Sequence, residues 1–318
     1  MSARMRVFAS SLLFVVIGCA SSRHDGWTGP ARPAEVESTR WTAREAPASV
    51  LRSSRYAIYT TLSSGSRRDA LPQVLEGAYA QYQAIAPAPL VDDRPLSCFV
   101  FDRRDEWAEF TTLRTGKDAA MYLQIPRGGY TIGDWFVSYL VGDNATATYS
   151  VASHEGWHQY VARNFKGRLP PFLEEGIACL FENVRMSRGL PRWNLAMNPE
   201  RSSALALARK RDRLWPLEQL IAMHAGEVVD QPQDRIDAFY AQTWAFARFL
   251  LEADGGRHRA GFQKWLADTA AGAGLVGNKP WEPAETRAIL EHYLGQDLAS
   301  IEQEFATFVA QITRQEKP

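Results

Sequence analysis

Three residues of this chain have the types and spacing for metal-assisted hydrolysis: His154, Glu155 and His158, in the order His-Glu-x-x-His. On a helix, positions i and i+4 lie on one face, so both imidazoles reach the same ion. Glu155 then stands beside that ion, placed to take a proton from a water the ion holds. A catalytic zinc takes three protein ligands and leaves one position open. The chain must therefore supply one more ligand from an element packed against this helix.

The stretch from Leu169 to Ala178 offers that ligand. Lys166-Gly167 stops the first helix near Asn164, and Pro170-Pro171 opens the next, because proline is tolerated in a first turn. His158 stands about 9 Å before the end of its helix, and Glu175 about 6 Å into the following one, at roughly 1.5 Å per residue. A short connection makes the two helices antiparallel. Glu175 then lies nearly level with His158, with its carboxylate free to face both imidazoles. The expected metal ligands are His154, His158 and Glu175 around one Zn2+ ion, with Glu155 as general base. His24, His224, His258 and His292 stand in scattered contexts and read as surface or packing residues.

The elements that must position these groups divide the chain in two. Arg55–Leu62 and Leu96–Phe101 are β-branched and aromatic and read as strands. Leu71–Ile85 has apolar residues at helical spacing, stopped by Pro87 and Pro89. Arg104–Leu113 reads as a short helix, and Tyr130–Val141, between glycine turns, as a strand or a hairpin. From about Thr146 the pattern is helical: Thr148–Asn164, Pro170 to about Val184, Leu214–His224, Ile236–Ala253, Ala260–Ala270 and Leu298–Ile312. The fold class expected is α+β, with an α/β lobe over 51–145 and a helical lobe over 146–315, and the metal helix at their junction.

The motif resembles the gluzincin group of zinc peptidases: His154-Glu155-x-x-His158, sixteen residues, then Glu175-Gly176. Within that group the chain is similar to the minimal peptidase MA-like domains. Phe172-Leu173-Glu174-Glu175-Gly176-Ile177-Ala178 is also similar to the W-L-x-E-G-x-A string of the aminopeptidase N family, whose Glu is the third ligand. The match puts the ligand at Glu175 and leaves Glu174 at the variable position. The resemblance covers the catalytic helices and one later helix, and implies a thermolysin-like zincin fold. Tyr240, opening Tyr240-Ala-Gln-Thr243, resembles the tyrosine that donates to the oxyanion in those relatives; the alternative is a core tyrosine on an apolar helix. There is no third histidine after His158, so the metzincin pattern is absent. Residues 129–141 lack the string with which aminopeptidases hold a free amino terminus.

The remaining features concern location and partners. Met1–Cys19 resembles a bacterial lipoprotein signal: Arg4 and Arg6, an apolar run over Val7–Ile17, then Val16-Ile17-Gly18-Cys19 as a lipobox. Cys19 would carry the lipid anchor and Ala20 favours the outer membrane, facing the periplasm or surface. Residues 20–50, rich in Ser, Pro, Ala and Arg, read as a flexible tether. Formal net charge is zero and no basic stretch stands out, so nucleic acid is not an expected partner. Cys98 and Cys179 read as two buried thiols, with a disulfide as the alternative. The function expected is a lipid-anchored zinc metallopeptidase acting on a peptide or protein substrate, as an endopeptidase rather than an exopeptidase. A zinc-containing scaffold without turnover and a zinc amidase acting on cell-wall peptides are the rivals.

Overall fold

A computed structural model describes residues 27–44, 47–125, 128–140, 142, 145–228, 231–275 and 282–315. The signal segment 1–19 with Cys19, the first part of the tether, and Val141 lie outside the described residues. The strands are β1 (Trp27–Thr28), β2 (Glu37–Arg40), β3 (Ser49–Arg52), β4 (Tyr56–Thr60), β5 (Leu96–Phe101), β6 (Gly129–Ile132), β7 (Trp135–Tyr139), β8 (Val184–Ser187) and β9 (Leu190–Asn194). The helices begin with α1 (Ser66–Ile85), α2 (Arg104–Thr115), α3 (Ala119–Leu123), α4 (Ala145–Asn164), α5 (Pro171–Leu180) and α6 (Pro199–Lys210). They continue with α7 (Leu217–Leu220), α8 (Ala225–Val228), α9 (Gln233–Glu252), α10 (Arg259–Ala271), α11 (Pro283–Leu294) and α12 (Leu298–Gln315).

A six-stranded sheet in the order β2-β3-β4-β5-β7-β6 forms the first half. Its centre is parallel, β4 with β5 and β5 with β7, while β2, β3 and β6 join antiparallel. Strand side chains alternate between faces, and β5 shows the consequence. Leu96, Cys98 and Val100 enter the main core under α1 and α4, whereas Phe99 and Phe101 enter an aromatic cluster with Trp107 and Tyr130 on the opposite face. The helical half follows, so the architecture is α+β, with α4 between the sheet and the later helices.

Three expectations are corrected. The tether over 20–50 is not free chain where it is described. β2 pairs with β3, β1 pairs with β9, and Gln73 of α1 binds the backbone of Ala34 in both directions. All four residues of β2 are exposed, so backbone pairing holds it and no apolar pattern announces it. The helical half is also interrupted. α5 ends at Leu180 rather than running to Val184, and β8 and β9 form a hairpin through Arg188 and Gly189, both at positive φ (51° and 77°). That conformation suits a two-residue hairpin turn. The helix expected over Leu214–His224 shrinks to α7. α6 and α11 were not foreseen, although each opens on a proline at its first turn. Residues 130–140 form the hairpin β6–β7, and Cys98 and Cys179 are both buried free thiols.

Candidate metal centre

Two close approaches between helices set the site. The first fixes α4 on α1. A Cβ on Gly156 would meet the Tyr82 hydroxyl at 2.7 Å, and that hydroxyl donates to the Ser153 carbonyl at 2.5 Å. The second fixes α5 on α9. A Cβ on Gly176 would stand 2.2 Å from the Thr243 carbonyl oxygen, backbone that cannot swing aside. The glycine following Glu175 is thus required for α5 to lie against α9, and the same contact brings Tyr240, one turn before Thr243, to the cluster. Gly176→Ala is expected to cost about 1–3 kcal/mol through overpacking. Denaturant unfolding of the metal-free protein checks the stability loss, and chelator competition should show weaker metal binding in the same variant.

α4 and α5 bring the three expected ligands together. His154 Nε2 and His158 Nε2 are 3.3 Å apart, and Glu175 Oε2 lies 3.2 Å from the first and 3.7 Å from the second. Ligand atoms on a tetrahedral zinc, at about 2.0–2.1 Å from the ion, stand roughly 3.3 Å from one another. The triangle therefore has the size of one face of such a site. Glu175 Oε2 is buried, and the three atoms lie close enough together to share one ion. The donor set, two imidazoles and a carboxylate, could hold a divalent cation.

The outer ring of each imidazole is held by a carboxylate. His154 Nδ1 lies 3.0 Å from Glu182 Oε1, and His158 Nδ1 lies 2.9 Å from Glu174 Oε1. Such bonds place a proton on Nδ1 and aim Nε2 at the cluster. Glu174, at the variable position of the string, thus orients the His158 ring, and sequence reasoning missed Glu182 altogether. It lies beyond the end of α5 at Leu180, so no helical spacing tied it to Glu175. Arg201 and Asn198, which both bind Glu182, come from α6 and had no signal either.

Burial works against charge on His158, yet the Glu175 charge and the hydrogen bonds to Glu174 and Glu175 outweigh it and raise its pKa to about 10. His154 is likewise raised despite burial, through its bonds to Cys179, Glu175 and Glu182. Burial would raise the Glu175 carboxyl, but the two imidazoles hold it well below the usual carboxylate range. Tyr240 is pushed up, chiefly by burial and then by the Glu175 charge, and the Arg201 guanidinium sits 5.1 Å from its ring centroid.

Glu155 is 8% exposed, and its carboxylate lies against β6. Thr131 Oγ1 donates to its carboxylate at 2.9 Å and lies 3.1 Å from its carbonyl. β6 is an edge of the sheet. The two-residue turn at Gly133–Asp134 makes Ile132 and Trp135 the closing hydrogen-bonded pair, so by alternation Thr131 turns its own N–H and C=O to the free edge. Gln159 and Arg163 of α4 clamp the turn end of this hairpin: Gln159 Nε2 donates to the Asp134 carbonyl at 2.8 Å, and Arg163 pairs with the Asp134 carboxylate. None of the other described histidines joins the site. His224 pairs with Glu227 near the surface, His258 packs on Phe249 beside Glu304, and His292 contacts Tyr293; His24 lies outside the described residues. Comparison with protein-family models and with curated proteins finds none that matches this chain.

Proposed function

We propose that the protein is a zinc-dependent metallopeptidase of the gluzincin kind, hydrolysing internal peptide bonds of a peptide or protein substrate. The observation that carries this reading is the convergence of His154 Nε2, His158 Nε2 and Glu175 Oε2 at 3.2–3.7 Å, with a buried carboxylate, Glu155, on the helix that carries both histidines. A purely structural zinc site has no use for that extra base, and it normally closes all four positions with protein ligands.

Bound zinc would supply Lewis acidity and lower the pKa of a water to about 7. The chain's own residues do the rest. Glu155 accepts the proton of the attacking water and passes it to the leaving amine. Thr131 holds the Glu155 carboxylate by its hydroxyl, while its backbone, on the free edge of β6, is placed to pair with an extended substrate. Tyr240 keeps its phenolic proton at neutral pH, since burial and the Glu175 charge oppose ionisation, and donates it as a hydrogen bond to the carbonyl oxygen as that atom gains charge. The thermolysin-like assignment belongs to this proposal, as do anchoring at Cys19 and a place at a bacterial outer membrane. The anchor is carried by sequence alone. Among the described residues no helix is long and apolar enough to cross a membrane.

The test is to measure bound zinc in the full chain and to profile cleavage of a peptide library beside Glu155→Gln. Glu155-dependent cleavage with about one zinc per chain supports the proposal. Zinc without Glu155-dependent cleavage would make the protein a scaffold, and cleavage confined to cell-wall peptides would make it an amidase.

A pH effect follows from the charge around the ligands. A histidine raised to about 10 holds its proton at neutral pH in the metal-free protein, so zinc must displace it. The apparent zinc affinity is expected to rise by about tenfold per pH unit for each proton displaced, and to go on rising above the ordinary histidine pKa of about 6.5. Titration calorimetry in buffers of different ionisation enthalpy counts the protons released.

A further inference from the structure

Arg201 sits in the first turn of α6, where Asn198 is the N-cap and its side chain accepts from the Arg201 N–H at 3.2 Å. A cation there opposes the helix dipole, whose amino end is positive. The side chain is also mostly buried, at 17% exposure. Neither helix stability nor solvation explains its place, so its partners must.

Those partners are two. Arg201 Nε donates to Glu182 Oε2 at 2.9 Å and Nη2 to Oε1 at 2.8 Å, a bidentate fork. Glu182 Oε1 in turn meets His154 Nδ1 at 3.0 Å, while Asn198 Nδ2 donates to Oε2 at 2.7 Å. The guanidinium also stands 5.1 Å from the centre of the Tyr240 ring. A bidentate fork fixes the plane of a carboxylate as well as its position. The plane of Glu182 sets the rotation of the His154 ring, and therefore where Nε2 points. Tyr240 comes from α9 and His154 from α4. Arg201, from a third helix, touches both assemblies at once.

We propose that Arg201 is a positioning residue that locks the metal ligand His154, through Glu182, in register with Tyr240. The proposal rests on the metal-site reading above. A lysine cannot replace it fully, because a single ammonium group lacks the planar fork that holds both carboxylate oxygens.

The experiment uses the full chain as Arg201→Met, Arg201→Lys and Arg209→Met, the last an exposed α6 residue whose guanidinium donates to Thr313. Zinc affinity is measured by chelator competition, and the visible spectrum of the cobalt(II)-substituted protein reports ligand geometry. Arg201→Met is expected to weaken zinc about 100-fold and Arg201→Lys about tenfold, the span typical for losing a partner of a metal-bound histidine. Both should alter the cobalt spectrum, and Arg209→Met should change neither. If Arg201→Met fails to fold, Arg201→Lys, which keeps the buried charge, decides the matter by the same two readouts. Wild-type affinity and spectrum in Arg201→Lys and Arg201→Met would overturn the proposal, as would an equal loss in Arg209→Met. His154→Ala separates the two levels. If it retains zinc, the metal-site reading fails. If it loses zinc while the Arg201 variants do not, only the role of Arg201 falls.

Discussion

Glu155→Gln is expected to lower peptide cleavage by about 10²–10⁴-fold, the usual contribution of a positioned general base, while leaving bound zinc near one per chain. Glutamine keeps the size of the side chain and an oxygen for the Thr131 hydroxyl, which donates to Glu155 at 2.9 Å. It cannot take a proton. Glu155 lies on α4 between the two histidines in sequence but is not among the three converging ligand atoms, so its replacement should not empty the site. The loss should fall on kcat rather than on KM, since the base acts only as the proton moves. Steady-state kinetics on a library-derived peptide, with metal analysis of the same sample, make the check. A variant with more than a tenth of wild-type turnover would show that Glu155 is not the base.

Removing the metal is expected to have the second large effect. A strong chelator should take activity to background, and added zinc should restore it. The folded state should weaken as well, because a ligand that binds only the native protein stabilises it by mass action: about 2.7 kcal/mol when free zinc is 100 times its Kd. Here the effect has a local cause. Without a cation, Glu174, Glu175 and Glu182 crowd two imidazoles; Arg201 balances Glu182, and protons on the imidazoles balance the other two. Differential scanning calorimetry with and without zinc should show the shift, on the order of 5–10 °C for a domain of this size. In His154→Ala the zinc-dependent part should disappear. A melting temperature and an activity both indifferent to chelation would remove the zinc-peptidase proposal.

The proposal draws on features of unequal visibility in the sequence. The i, i+4 pair of histidines needs only a helix, and a helix is what local periodicity over residues 148–164 announces. Glu175 was within reach because the loop after α4 is short, which forces α5 to return alongside. The strands β4 and β5 were legible from their β-branched and aromatic runs. β2 was not, since its four exposed side chains carry no pattern and its backbone bonds to β3 depend on the sheet already being there. The hairpin β8–β9 did carry a signal, the alternation of Val184 and Met186 with Arg185 and Ser187 before Arg188-Gly189, but its position between helices masked it.

What the sequence by itself determined is the local chemistry: two imidazoles one turn apart, a carboxylate between them, and a second carboxylate on a helix that must fold back. Helical geometry and chain length suffice for that. What only the tertiary structure decided is which groups surround that chemistry. Glu174 and Glu182 were free to be solvated acids until α4 and α5 docked. Tyr240 comes near Glu175 and Arg201 only because Gly176 lets α5 close on the Thr243 carbonyl. Arg201, twenty-six residues beyond Glu175 in sequence, was invisible. These placements depend on the relative position of helices far apart in the chain. That position is set by packing summed over the whole core rather than by any residue's own neighbours in sequence.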